Sequence, residues 1–185
     1  MRTFIAIELS EEIKQNIGAL IERLKTTEAG VKWVEPKNLH ITLKFLGEVP
    51  EREVKNLIDL TTEALKGGSS FKSRFEGGGT FPEGKNPRVV WIGTTEGAEE
   101  QRELSLSLEK VLSKAGYREE KREFKAHITI GRVKEKKNLD ALLKELNKAK
   151  DQKFGEEIVD HVNIMKSTLN PKGPIYEVVK RIPLK

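Results

Sequence analysis

The stretch Trp33-Val34-Glu35-Pro36-Lys37-Asn38-Leu39-His40-Ile41-Thr42-Leu43-Lys44-Phe45-Leu46-Gly47 decides how this chain is read. Its centre, His40-Ile41-Thr42-Leu43, returns as His127-Ile128-Thr129-Ile130 almost half of the 185-residue chain further on. The chain has 3 histidines, and two of them stand two residues before a threonine. Alternate side chains of a strand share a face. His40 and Thr42 therefore fall together, with Ile41, Leu43 and Phe45 on the apolar back. His127 and Thr129 repeat this over Ile128 and Ile130. Two such faces across a cleft would set two imidazoles and two hydroxyls around one small anion. A lone strand histidine is more often structural than catalytic. A doubled pattern at near half-chain spacing is not explained that way.

Composition bounds the partners. The formal charge of +5 and a pI near 9.3 suit a phosphate-bearing partner without specifying one. With no cysteine, disulfides, thiolate metal sites and cysteine nucleophiles are excluded. The apolar run Phe4–Ile7 is too short for a signal peptide and Glu8 follows at once. No segment approaches a membrane-spanning length. The expectation is a cytoplasmic protein with no membrane association. No heptads or long apolar surface runs call for an obligate protein partner, so a monomer is the default.

Periodicity supplies the scaffold. Thr3–Leu9 reads as a strand, and Ser10 caps a helix with Ile13, Ile17, Leu20, Ile21 and Leu24 inward. Val31–Val34 is a short strand before the first motif. Pro50 opens a second helix bearing Val54, Leu57, Ile58 and Leu65. Phe71–Glu76 and Arg88–Thr94 read as paired strands, with Gly77–Pro87 as the hairpin loop between them. A third helix covers Ala98–Ala115, and Leu139, Leu142, Leu143 and Leu146 mark a fourth. Ile158–Thr168 and Ile175–Ile182 close the chain as strands. Strands alternate with helices without long parallel runs, so residues 1–185 form a single α+β domain of two similar lobes.

The quoted stretch, with Arg2–Leu9, Pro87–Gly93, Gly131-Arg132 and Ser167–Tyr176, resembles the two-histidine (2H) phosphoesterase superfamily. Within it, the resemblance is to the RNA 2′,3′-cyclic phosphodiesterases, once called 2′-5′ RNA ligases. It implies a bilobal, pseudo-twofold fold, with antiparallel sheets lining a central cleft and helices outside. It also implies hydrolysis of RNA 2′,3′-cyclic phosphate ends, tRNA halves among them, to 2′-phosphomonoesters. His40 would act as general acid on the 3′ oxygen and His127 as general base on water, with Thr42 and Thr129 on the non-bridging oxygens. The sequence alone identifies the pair and leaves the division of roles open. With a 5′-hydroxyl in place of water, the reverse reaction would make a 2′-5′ linkage. Arg132 maps onto the family's phosphate-binding basic residue. Alternation places it with Ile128 and Ile130, so it reaches the polar face only through a bend or bulge near Gly131.

No cofactor is implied. Two histidines without a third ligand, an HExxH or a carboxylate in either tetrad make a poor zinc site, so no metal is expected. His161 reads as structural. For RNA stacking, Tyr176 is the preferred aromatic, while Phe45 and Trp91 are assigned to the core; Lys32, Lys37 and Arg88 are candidates to follow the backbone. Two alternatives stand beside this reading. One is a phosphodiesterase for small cyclic nucleotides or cyclic ADP-ribose phosphates. The other is a non-catalytic nucleotide- or RNA-binding module.

Overall fold

A computed structural model describes residues Met1–Lys185. The chain runs β1 (Arg2–Glu8), α1 (Glu11–Lys25), β2 (Val31–Trp33), β3 (His40–Glu48), α2 (Val54–Leu65), β4 (Phe71–Phe81), β5 (Val89–Thr94), α3 (Ala98–Lys114), β6 (His127–Val133), α4 (Leu139–Asn147), β7 (Lys153–Val159), β8 (His161–Thr168) and β9 (Ile175–Pro183). All strand pairs are antiparallel. One sheet has the order β3-β1-β8-β9 and the other β2-β6-β5-β4-β7. The fold is α+β, with the two motif strands in different sheets and in contact with each other.

The helices form where the periodicity places them. Ser10 Oγ accepts from the Ile13 backbone N–H, Glu11 and Glu12 stand in the first turn, and Ile13, Ile17, Leu20, Ile21 and Leu24 are buried. Capping and the favourable charge at the positive helix end act together here. α1 leaves the first sheet and packs on β7 of the second, whereas α3 leaves the second and packs on β3 of the first. One continuous apolar core, from Ile5 and Ile7 through Ile41 to Ile128 and Ile130, lies beneath both sheets.

Two expectations need correction. Gly77–Phe81 is strand rather than loop: it continues β4 and pairs with β5, Gly79 opposite Trp91 and Phe81 opposite Val89. The glycines clear space for an indole. A Cβ on Gly79 would run into Trp91 at Cζ2, so the run that reads as a turn is a bed for a large ring. The segment Ile158–Thr168 is two strands. β7 pairs with β4 and β8 with β1, in different sheets, and the chain crosses between them at Asp160.

Candidate active site

Both motif strands depart from regular alternation at the same place. On β6, Val90 pairs with Gly131 and Trp91 with Thr129, so Ile130 is an extra residue. On β3, Ile5 pairs with Lys44 and Ala6 with Thr42, so Leu43 is extra; Leu46 is a second one. A bulge of this kind switches every following side chain to the other face. Ile130 and Gly131 are both buried, and Arg132 is turned out onto the His127 face. Glycine is needed there because a Cβ on Gly131 would lie 2.6 Å from Val31 Cγ1 and 2.8 Å from Trp33 Cε3.

On β3 the same switch reverses an assignment made from parity. Phe45 is not core: it is 59% exposed, and its ring lies 6.3 Å from Phe4, which packs on His40. Phe45 follows His40 by five residues, as Arg132 follows His127. The residue that goes inside is Lys44, 4% exposed, whose ammonium donates to Glu109 Oε2 and to the Arg118 carbonyl. Such a buried ion pair specifies register, because slippage would strand its charge. Glu109→Ala should therefore cost about 3 kcal/mol in urea denaturation, toward the low end for a broken buried pair because Glu109 is partly exposed.

The histidines are held alike. His40 Nδ1 lies 2.7 Å from the Asn38 carbonyl, and His127 Nδ1 lies 2.6 Å from the Lys125 carbonyl. A carbonyl only accepts, so each Nδ1 carries the proton and each Nε2 is the free nitrogen. His40 Nε2 is 3.0 Å from Thr42 Oγ1, and Thr129 stands on the His127 face, opposite Trp91. An aromatic edge fixes each ring: Tyr176 meets His40 at 5.3 Å and 86°, and Phe81 meets His127 at 5.2 Å and 87°.

Burial depresses the pKa of both imidazoles. For His40 the charges of Lys14, Arg132 and His127 add to that effect, against the Asn38 carbonyl; for His127, Arg132 adds to it, against the Lys125 carbonyl. Arg132 thus acts on both rings. Burial pushes the Tyr176 hydroxyl up, while Arg132 and Arg2 pull it down. Arg132 therefore bears on His40, His127 and Tyr176 together, and Thr42 and Thr129 stand on the faces of the two histidines.

Other residues sort differently. His161 stands apart, its Nδ1 2.5 Å from Asp160 Oδ1 and its Nε2 2.9 Å from the Arg181 guanidinium. Lys32 pairs across from Arg132, whereas Lys37 forms an ion pair with Glu35. Trp91 is only half-buried: it faces the cleft beside Thr129, its ring 5.1 Å from Phe81. Parity misplaces both Phe45 and Trp91. For Phe45, the matching +5 offset to Arg132 was the available signal. No three His, Cys, Asp or Glu side chains gather in metal-binding geometry, and no helix is long and apolar enough to cross a membrane.

A family model described as LigT like phosphoesterase matches residues 7–91 and again residues 92–176. Among curated proteins, the chain is similar to two archaeal proteins named RNA 2′,3′-cyclic phosphodiesterase. The one from Methanocaldococcus jannaschii is 42% identical over 97% of this chain and 99% of its own length. The one from Archaeoglobus fulgidus is 42% identical over 96% and 97%. Among solved structures, Escherichia coli LigT complexed with 3′-AMP superposes with a TM-score of 0.78 at 26% identity, covering 99% of this chain and 97% of that one. The Thermus thermophilus protein TT0787 gives 0.77 at 29%, covering 100% and 98%.

Proposed function

The chain belongs to the LigT-like phosphoesterase family, and from that membership we propose that it hydrolyses RNA 2′,3′-cyclic phosphate ends to 2′-phosphomonoesters. One observation carries the reading. Two imidazoles are locked by backbone carbonyls at Nδ1, so that both present Nε2 to one cleft under the influence of Arg132. The names of the relatives favour RNA ends over small cyclic nucleotides and over a binding module. RNA ends, tRNA halves among them, are the proposed partners, and a cytoplasmic monomer is the proposed working form.

In the proposed mechanism, His127 Nε2 takes a proton from water as the water oxygen attacks phosphorus. The bond from phosphorus to the 3′ oxygen breaks, and protonated His40 delivers its Nε2 proton to that oxygen. Each transfer contributes typically ~10²- to 10⁴-fold. The Thr42 and Thr129 hydroxyls donate to the non-bridging oxygens, and Arg132 neutralises their charge. The reverse reaction with a 5′-hydroxyl would make a 2′-5′ linkage.

The test uses a short RNA ending in a 2′,3′-cyclic phosphate, incubated in EDTA. The expected product is the 2′-phosphate; a 3′-phosphate, or loss of turnover in chelator, would overturn the mechanism. Phe45 joins the proposal as a stacking surface for the substrate base. Aromatic stacking is worth about 1–3 kcal/mol per base. Phe45→Ala should raise KM about tenfold with little change in melting temperature, and Phe45→Trp should restore it. Steady-state kinetics on a cyclic-ended oligonucleotide checks this.

A further inference from the structure

Beside His40 the cleft continues as a trough of about 340 Å³. Ala6, Met165 and Val178 line its apolar part; Lys14, Lys37 and Asn38 line its polar part. Lys14 is the anomaly. It is 7% exposed, yet its Nζ has only a 3.3 Å contact to the Lys37 carbonyl and a 3.7 Å contact to Glu11, whose side chain is 82% exposed. An ammonium has three donors, and a buried one is ordinarily fully engaged. The trough's one carboxylate, Glu8, is held by Asn163 Nδ2 at 3.3 Å and lies 3.8 Å from His161 Nε2. Lys14 is left as a buried, under-partnered cation on the wall of an open trough. Among the charges acting on His40 it is the strongest.

The direction of the reaction says what lies on this side. If His40 protonates the departing 3′ oxygen, the ribose that carries this oxygen lies on the His40 side, and the rest of the RNA leaves from its 5′ position. We propose that the trough is the subsite for the terminal nucleoside, and that Lys14 binds the phosphodiester 5′ to it. This rests on the cyclic phosphodiesterase reading and extends it. The enzyme would tell an RNA end from a free 2′,3′-cyclic mononucleotide through one buried lysine. The half-exposed Val178 and Ile175 give the sugar an apolar surface, with Lys14 as the buried cation and Lys37, paired with Glu35, as the exposed one at its polar end.

The experiment compares two substrates, adenosine 2′,3′-cyclic phosphate carrying or lacking a 5′ methyl phosphodiester. A charge-assisted hydrogen bond of ordinary strength makes wild type prefer the diester by about tenfold in kcat/KM. In Lys14→Met, each substrate measured at its own pH optimum, the preference should fall to within about twofold, and Lys14→Arg should restore most of it. Methionine keeps the length and apolar bulk of the stem, so the variant tests the charge rather than the packing. A preference near one in wild type, or one that survives in Lys14→Met, would overturn the subsite and leave the cyclic phosphodiesterase reading standing. Failure of wild type to open either ring would remove that reading, and the subsite with it.

Discussion

His127→Ala and His40→Ala should each lower kcat on a cyclic-ended RNA by about 10²- to 10⁴-fold, with KM little altered. Both imidazoles present Nε2, and neither contributes a large part of the buried core, so truncation removes chemistry before it removes stability. The two losses should differ in what rescues them. With sulfur replacing the bridging 3′ oxygen, the leaving group departs as a thiolate and needs no proton. His40→Ala should regain most of its loss on that substrate, because its missing function is the acid. His127→Ala should regain nothing, because water still lacks its base. Rescue of His127→Ala instead would exchange the two roles, and rescue of neither would remove acid catalysis from the leaving step.

The pair itself was legible in the sequence. His40-Ile41-Thr42 and His127-Ile128-Thr129 lie ahead of the bulges, where period-2 counting holds, and in each strand the half-buried histidine and threonine flank a fully buried isoleucine. Beyond Leu43 and Ile130 the count fails, because it assumes an unbroken ladder. On β6 the glycine at 131 allowed a bulge to be anticipated. On β3 nothing local did. Lys44 is drawn inward by Glu109, 65 residues away, and no window around position 44 contains that partner. Hydrophobicity argued for Phe45 inside, and the structure puts Lys44 there instead. An inversion of this kind costs stability and is expected where function places a side chain. Trp91 failed for a related reason: in a sheet wrapped around a cleft, the polar motif and a large aromatic share one face, supported by Gly79 of the neighbouring strand. The crossing at Asp160 was hidden because Ile158–Thr168 is continuously strand-like in composition, although its two halves belong to different sheets.

Arg132→Gln should lower kcat/KM by about 10²- to 10³-fold, the loss usual for a donor aimed at developing charge, and should also move the pH profile. The acid must be protonated, so activity falls as pH rises through the pKa of His40. The base must be neutral, so activity falls as pH drops through the pKa of His127. Both values lie below the ordinary 6.5, which displaces the kcat/KM profile of the wild type to the acid side. Removing Arg132 takes away a cation that depresses both rings, so both limbs should shift toward alkaline pH. Lys14 acts on His40 and not on His127, so Lys14→Met should move one limb only. The limb set by His40 should move up, and a profile in which Lys14→Met moves both limbs or neither would overturn this coupling. A profile in which Arg132→Gln lowers the maximum without moving either limb would limit Arg132 to holding the phosphate.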